Sequence, residues 1–414
     1  MTQARGANAQ LLIQRETTFR TAPVSPAAFR LPFTTFDTGV DPGKVDNPSI
    51  SNSPLPEKMG EGNRVLTPKL DSIFDLRSIG QVLALLLGVP TAYKAVTTQP
   101  VNCTGVTANY AHATATTGDG TLAFVASAHT LAWKAQGDGT AGTPVDVSAG
   151  GYFTLQSGTV DHWLHVTVDS ASLALTDKTD ATIAVSATLK AHVFPYNMTD
   201  RPSALFDLGL TDISKYYRVF GAKASTLDFD IGAKDQNISV GFLAGYETDS
   251  GTVWDATPTA YTAVRAAAGG GSIWNGVDTS LGTVTGGKIS VSNGMQGYLG
   301  LPPDTGTIAA NVGYGVIDQA GVDLKGTLSA VFDGSGSFAK ARAGTSSRFR
   351  AVSRAQVSTD VFALIWDMPS VEFTEKGAPI KGKSGLFVEL DWKAHRNAAG
   401  SVPLVMLVND VAGY

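Results

Sequence analysis

The segment from Gly377 to Ser384 matches the phosphate-binding loop pattern G-x-x-x-x-G-K-[ST], the clearest candidate for chemistry in this sequence. Such a loop must lead into a helix, because the backbone N–H groups at the helix start bind the phosphates. Here the strand-like run 386–392 follows instead, and Pro379 removes one of the amides that would be needed. The sequence therefore predicts a hairpin turn between two long strands, with no nucleotide or other cofactor.

The histidines and the single cysteine offer no metal site or catalytic centre. His162 and His165 are the closest pair, and at strand spacing their side chains point to opposite faces. Cys103 alone excludes a multi-cysteine zinc site and an intramolecular disulfide. No serine lies in a G-x-S-x-G turn. We therefore expect neither a bound metal nor an enzymatic activity.

The composition favours a protein made mainly of β-strands. The 414 residues include 45 glycines and only 16% charged residues, with a mean hydropathy of +0.05, which suits short strands joined by glycine-containing turns. The formal net charge is −5, but residues 99–190 carry seven Asp and three Lys without any Glu or Arg, so the rest of the chain is nearly neutral. No alternation of basic and aromatic residues indicates a nucleic-acid groove.

No export signal or membrane span is predicted. Residues 1–10 lack the apolar core of a signal peptide. The longest apolar run, Val82 to Leu87, is far shorter than the roughly 18 residues that a membrane helix needs. These features indicate production in the cytoplasm of a host cell.

The first sixty residues read as an arm and a loop. Leu11-Leu12-Ile13 is a short apolar patch, and prolines interrupt the chain before a strand at residues 29–36. Residues 41–62 are rich in Pro, Gly and Asn and predict a loop of unusual length, which is typical of an interaction loop.

One helix is predicted over residues 73–87. Ser72 and Asp75 have the spacing of a capping box at its start. Apolar residues recur every three or four positions up to Leu87, and Gly88 followed by Pro90 ends the pattern. We expect this helix to pack against a sheet.

Residues 99–190 predict an inserted β-sandwich. Short strand-like runs at 121–126, 130–134, 152–155, 163–168 and 182–187 alternate with Gly-Asp-Gly and Gly-Gly turns. The loss of Arg and Glu over the same stretch supports an insertion, so we divide the chain into a core formed by residues 1–98 and 191–414 and an inserted domain at 99–190.

Long strands dominate the last part of the chain. Residues 216–231 and 238–247 flank a turn and predict a long hairpin, and further strands are predicted at 322–332, 361–373, 386–392 and 402–408. Residues 249–321 are rich in Gly and Pro, and the sequence gives them no assignment.

Several stretches together resemble the family of siphophage major tail tube proteins. These are the opening at 5–23, Gly62-Asn63 ahead of the helix that closes with Leu-Gly-Val-Pro, residues 206–213 with the strand 216–221 after them, and the ending from 390–396 to Asp410. The resemblance covers residues 1–98 and about 191–414, and the inserted segment resembles the immunoglobulin-like domains of phage tails.

The resemblance implies a tail-tube fold, in which a helix packs against β-sheets and long hairpins of neighbouring subunits join into a closed barrel around a channel. Closure removes exposed strand edges, which would otherwise promote aggregation. It implies copies of the chain as partners in stacked rings, together with the tape measure, tail terminator and distal tail proteins, with DNA only in transit. The implied location is the virion tail.

The arm and the long loop are the segments that the resemblance assigns to contacts between stacked rings. The predicted contact residues lie within 11–19 and 47–60, and they are Leu11, Leu12, Ile13, Arg15, Phe19, Pro54, Leu55 and Pro56.

Two alternatives stay open at this point. The core of 98 and 224 residues is large for one tube module, so two fused modules in threefold rings with pseudo-sixfold symmetry compete with single modules in sixfold rings. A β-rich adhesin or carbohydrate-binding module, with Trp133 and Trp163 contacting sugar, is the second candidate function.

Overall fold

Long stretches of alternating apolar and polar residues bury one face when they pair as antiparallel strands, and most of this chain does so. The structure is a computed structural model that describes residues 5–46, 58–61, 63–96, 120–125, 130–135, 145–146, 151–157, 160–168, 173–180, 190–194, 201–232, 236–266, 272–275, 284–299, 313–331, 344, 346–358, 360–375, 387–396 and 403–414.

Within these residues the chain forms a 3₁₀ turn at Gly6–Asn8, one α-helix and 29 strands. The helix is α1 (Ile79–Leu87). The strands are β1 (Ala9–Arg15), β2 (Phe29–Leu31), β3 (Thr35–Asp37), β4 (Val40–Asp41), β5 (Lys44–Val45), β6 (Gly60–Glu61), β7 (Val65–Leu66), β8 (Lys69–Ile73), β9 (Thr91–Val96), β10 (Gly120–Val125), β11 (Thr130–Ala135), β12 (Val145–Asp146), β13 (Gly151–Ser157), β14 (Val160–Val168), β15 (Leu173–Asp180), β16 (Lys190–Phe194), β17 (Ala204–Leu210), β18 (Lys215–Gly232), β19 (Asn237–Leu243), β20 (Tyr246–Ser250), β21 (Ser272–Asn275), β22 (Val284–Ser292), β23 (Gln296–Leu299), β24 (Tyr314–Asp318), β25 (Asp323–Val331), β26 (Ser347–Val357), β27 (Asp360–Glu375), β28 (Phe387–Ala394) and β29 (Leu404–Asn409).

The first sheet is antiparallel and has the order β2–β1–β17–β18–β20. β1 lies between two neighbours, and its consecutive residues Leu11, Leu12 and Ile13 are all buried. The segment that the sequence analysis described as part of an arm is therefore an interior strand of this sheet. Its partner β17 lies far along the chain, so the local sequence gives no sign of the pairing.

The second sheet continues from the other half of β18 and is also antiparallel. Its order is β3–β8–β19–β18–β22–β25–β28–β27–β26–β21. The long hairpin predicted at residues 216–247 is confirmed as β18 and β19, and the four later strands are confirmed as β25, β27, β28 and β29. β29 pairs with β27 along the same edge of β27 as β28. β29 also pairs with β16, and β16 in turn pairs with β9.

β18 belongs to both sheets and changes direction at Gly221. This residue has a φ of +68°, a backbone conformation that residues with a side chain rarely adopt. A β-carbon at Gly221 would also lie 2.8 Å from the ring of Phe19. Glycine therefore lets one strand pass from the first sheet to the second while the 16–20 turn packs against it.

The predicted helix exists, but it begins at Ile79 rather than at residue 73. Residues 69–73 form β8 because they pair with β19, and this tertiary pairing overrides a local pattern that also fits a helix. Asp75, not Ser72, supports the helix start, since its carboxylate accepts hydrogen bonds from the N–H groups of Arg77 and Ser78 at 3.2 and 3.1 Å. The predicted end at Gly88 is confirmed.

All nine residues of α1 are buried, and the helix packs on β18 and β16 as expected of a helix against a sheet. Residues near the C-terminal end of the chain form hydrogen bonds with the segment just before α1. The amide of Asn409 donates to the carbonyl of Leu76 at 2.7 Å, and the guanidinium of Arg77 donates twice to the carboxylate of Asp410 at 2.8 and 2.7 Å. The core of the molecule is thus closed around α1 by the segment after β29.

The strands at the two ends of the inserted segment are neighbours. β9 and β16 pair antiparallel, as the two connections of an inserted domain must if it leaves and rejoins the core at one place. Strands were predicted correctly at β10, β11, β13 and β14, whereas β15 was missed and the strand predicted at 182–187 lies outside the described residues. That residues 99–190 form a separate immunoglobulin-like domain stays a prediction.

Candidate assembly surfaces

One face of the second sheet is turned to the core and the other to solvent. On β18, for example, Leu227 and Phe229 point inward, while Thr226, Asp228 and Asp230 point outward. We call the outward face of β3, β8, β19, β22, β25 and β28, with residues 226–232 of β18 and 371–375 of β27, the polar face. The register places these outward residues directly beside one another from strand to strand.

The polar face has an excess of negative charge. Among its described residues, eight carboxylates stand against four lysines, which leaves four negative charges in excess. The carboxylates are Asp37, Asp71, Asp228, Asp230, Asp323, Glu372, Glu389 and Asp391, and the lysines are Lys69, Lys288, Lys325 and Lys393.

Every one of these four lysines forms an ion pair with an aspartate of the same face. Asp323 accepts from Lys393 at 2.7 Å and from Lys325 at 3.2 Å, and the hydrogen bond from Lys393 is the main reason that the pKa of Asp323 is lowered. The other two pairs are Lys288 with Asp228 at 2.8 Å and Lys69 with Asp71 at 3.3 Å. The lysine side chains are 42–68% exposed, so these pairs add little to stability.

The second sheet ends in two strands that each have one partner among the described residues. β3 pairs with β8, and β21 pairs with residues 349–352 of β26. Residues 353–357 of β26 extend further and pair with β27 alone within the described part. Edges of this kind present backbone N–H and C=O groups that can pair with another chain.

The base of the long loop is a β-ribbon, which the sequence did not predict. β4 pairs with β7, and β5 pairs with β6, so residues 40–46 run beside 60–66. We call these four strands the first ribbon. The loop tip, including Pro54, Leu55 and Pro56, lies outside the described residues, and the interaction role of this segment stays a prediction.

A second ribbon, β23 paired with β24, carries exposed apolar side chains. Tyr298, Leu299 and Val316 are 53%, 47% and 58% exposed. At the end of this ribbon that precedes Tyr314, Gly313 packs so closely against the carbonyl of Gly245 that a β-carbon would clash with it, and the carbonyl of Arg64 would lie 3.5 Å from that β-carbon. Because Arg64 lies at the root of the first ribbon, this end of the second ribbon lies beside that root. Exposed apolar side chains clustered in this way are typical of an interaction surface.

The structure separates the other predicted ring-contact residues into two groups. Leu11, Leu12 and Ile13 have their side chains in the protomer core, where no neighbour can contact them without rearrangement. Arg15 and Phe19 are half-buried and have accessible atoms. A contact with an adjacent ring stays a prediction for all five residues, and only Arg15 and Phe19 could make it through the side chains that this structure leaves accessible.

The turn that carries Phe19 is fixed by a buried carboxylate, which the sequence analysis missed. Glu16 accepts hydrogen bonds from the hydroxyl of Ser203 at 2.6 Å, the N–H of Gly221 at 2.9 Å and the N–H of Arg20 at 3.2 Å. Burial raises the pKa of Glu16, although these three donors act in the opposite direction. A lone Glu between Arg15 and Thr17 gives no sign of these partners, since Ser203 and Gly221 lie far away in the sequence.

The motifs that could do chemistry do not form a site in the described residues. β27 and β28 flank the Gly377–Ser384 segment as paired antiparallel strands, and the strand predicted after it is confirmed; the segment itself lies outside the described residues. No cluster of His, Cys, Asp and Glu in the described part could hold a metal ion. In the same part, no helix has the length and hydrophobicity to cross a membrane.

A β-rich structural protein fits this set of surfaces best. A family model described as phage tail tube protein matches residues 6–394. The match spans almost the whole sequence, so the chain belongs to the phage tail tube protein family and is a component of the virion tail. The resemblance drawn from the sequence is thereby confirmed. No curated protein matches the chain.

Proposed function

We propose that this chain is the repeating subunit of a long, non-contractile phage tail, in which copies join into rings and the rings stack around the channel through which DNA leaves. The polar face carries this proposal. It belongs to one continuous antiparallel sheet, which is the kind of surface that can line a wide barrel. On this proposal the protein has no catalytic role.

The charge of the polar face suits a channel for DNA. DNA carries a dense row of phosphates, and a wall that neutralised many of them would bind the duplex. An excess of four carboxylates over lysines repels phosphate instead. Passage without retention is the expected consequence.

Ring closure would use the two ends of the second sheet. If the edge at β21 and β26 of one protomer joins the β3 edge of the next, the contact is head-to-tail and generates a closed ring when the rotation closes. The sheet contains two long hairpins, β18–β19 and β26–β27, and each could supply one sixth of the ring. This favours three subunits with pseudo-sixfold symmetry, with six subunits as the rival.

Stacking would use the two ribbons together with Arg15, Phe19 and residues 54–56. The end of the second ribbon at Gly313 lies beside the root of the first ribbon, and the second ribbon carries three exposed apolar side chains. Partners other than copies of the chain would be the tape measure protein inside the tube and the terminator and distal tail proteins at its ends. Residues 99–190, which leave the core between the paired strands β9 and β16, would form the inserted immunoglobulin-like domain.

Electron microscopy of the purified protein after concentration tests this proposal. We expect stacked rings or tubes, and end-on averages should show threefold symmetry with six similar lobes. Six identical lobes would replace the threefold arrangement by the sixfold one. Particles that stay monomeric at every concentration, also after addition of preformed tail tips as an initiator, would overturn the proposal.

A further inference from the structure

The four lysines of the polar face are a problem for a DNA channel. A free ammonium group that reaches a phosphate releases counterions and strengthens DNA binding. This inference rests on the proposed function, in which the polar face lines the channel. The question is what keeps Lys69, Lys288, Lys325 and Lys393 from holding the duplex as it passes.

Asp323 lies where two of these lysines would otherwise repel each other. Lys325 and Lys393 are directly opposite on β25 and β28, and like charges in that position destabilise a strand pair. Asp323 contacts both ammonium groups, at 3.2 and 2.7 Å. One carboxylate therefore neutralises much of the charge of both lysines.

Asp228 on β18 neutralises the charge of Lys288 on the neighbouring strand β22. Its carboxylate lies 2.8 Å from the ammonium group and also accepts a hydrogen bond from the hydroxyl of Ser290 at 2.7 Å. The hydroxyl holds the carboxylate in position on the sheet. By contrast, Glu389 lies on the same face opposite Ser329, and none of the described ion pairs includes it.

The exposure of these ion pairs limits their contribution to the stability of the fold. An exposed pair of this kind adds about 0.2–1 kcal/mol to stability, so the fold does not depend on it. The electrostatic consequence is larger, because each lysine has an internal partner that occupies the position a phosphate would take. We propose that Asp71, Asp228 and Asp323 mask the lysines of the polar face from the DNA backbone, so that a surface containing four lysines does not retain DNA.

Binding of a short fluorescent DNA duplex to the unassembled full-length protein at low ionic strength tests the masking. Asp323→Asn, Asp228→Asn and the control Glu389→Gln each remove one negative charge, but only the first two free a lysine. We expect Asp323→Asn to bind more tightly than the control. Its slope of log K against log salt should be steeper by about two, and that of Asp228→Asn by about one, because each new phosphate contact adds roughly 0.9 to the slope.

Equal binding by the two aspartate variants and by Glu389→Gln would overturn the inference, since net charge alone would then explain the effect. Replacing Lys325 and Lys393 by Gln in the Asp323→Asn protein should return the slope to the control value, and failure to do so would also count against masking. Thermal unfolding of each variant shows whether the fold is retained, and Asp228→Asn provides an independent case if Asp323→Asn does not fold.

The proposed function has its own readout. Thr327 lies on the polar face between Lys288 and Asp391. In assembled tubes of a Cys103→Ser/Thr327→Cys variant, whose single thiol is the introduced one, we expect reaction with a small maleimide but not with a maleimide on a polymer too large for the channel. Equal reaction with both reagents would place the polar face outside and overturn the channel proposal. The DNA-binding comparison would stand independently of that result.

Discussion

The ring of Tyr414 lies directly over Gly80 in the first turn of α1. A β-carbon built on Gly80 would be 2.2 Å from this ring, closer than any real side chain approaches another. The phenol is also fixed at its far end, because its hydroxyl donates to the carbonyl of Arg77 and Asn409 donates to it. The ring therefore cannot move aside without losing these hydrogen bonds.

We expect Gly80→Ala to destabilise the protomer by about 1–3 kcal/mol, the usual effect of overpacking a core. The direction is informative, because the same substitution in an unobstructed helix would stabilise by about 1 kcal/mol. Urea unfolding of the protomer measures the difference. Gly251→Ala is the matched control, since Gly251 has no atom within 4 Å of an added β-carbon. Equal stability of the two variants would contradict the packing of Tyr414 on Gly80.

The ion pair between Arg77 and Asp410 should couple more strongly than any pair on the polar face. It is bidentate, Arg77 is only 15% exposed, and the guanidinium also donates to the carbonyl of Thr262 at 2.8 Å. A double-mutant cycle with Arg77→Met and Asp410→Asn should give a coupling of roughly 1–2 kcal/mol.

The matching cycle with Lys288→Met and Asp228→Asn should give about 0.2–1 kcal/mol, because both side chains are more than 40% exposed. Chemical unfolding of the natural protein and the six variants provides both numbers. A larger coupling in the Lys288 cycle would show that the polar-face pairs stabilise the fold, contrary to the role we assign to them.

Local patterns predicted β18, β19, β25 and β28 well, because apolar and polar residues alternate clearly along them, whereas β26 was not predicted. The same reasoning misplaced the start of α1, since Ile73 fits the apolar pattern of the helix, whereas residues 69–73 pair with β19 as a strand. It also described Leu11 to Ile13 as an arm, because three consecutive apolar residues do not reveal that neighbours lie on both sides.

The candidate surfaces depended even more on distant contacts. Alternation identified one polar side of β25 and one of β28, but not that Asp323 contacts lysines of both strands. Residues 249–321 had no assignment, and the second ribbon arises there from short strands whose alternation is interrupted by a register shift. Two of the three donors to Glu16 come from β18 and from the segment before β17, so no local pattern could have predicted its buried position.

The pH dependence of stability should reveal the buried carboxylate of Glu16. Its folded pKa is raised, so between the unfolded pKa near 4.5 and the folded value the native state binds more protons than the unfolded state. The contribution of Glu16 to stability is therefore largest below that window and decreases as the pH rises through it.

A comparison with Glu16→Gln isolates this contribution. The variant should be less stable at every pH, because its amide places N–H groups against three donors. The stability advantage of the natural protein over the variant should shrink as the pH rises above about 4.5. Free energies of unfolding at several pH values measure this trend, and an advantage that grows with pH would mean that the pKa of Glu16 is lowered.

The apolar residues of the second ribbon should control stacking without affecting the fold. Leu299 and Val316 are about half exposed, so replacing both with Ser removes little buried area in the protomer, and its unfolding free energy should change by less than about 0.5 kcal/mol for each substitution. If a neighbouring ring covers these half-exposed side chains, each substitution removes roughly 0.7–1.5 kcal/mol of burial from the tube, about half the value for a fully exposed side chain. A loss of 1.4 kcal/mol raises the concentration needed for assembly about tenfold.

Sedimentation of tubes over a range of concentrations measures this threshold, and Val24→Ser is the matched control. Val24 is apolar and fully exposed, and it belongs to the segment between β1 and β2 rather than to either ribbon. We expect the Leu299→Ser/Val316→Ser protein to need at least ten times more protein to assemble, while Val24→Ser stays close to the natural chain. An equal shift in both variants would mean that general surface hydrophobicity, rather than the second ribbon, sets the threshold.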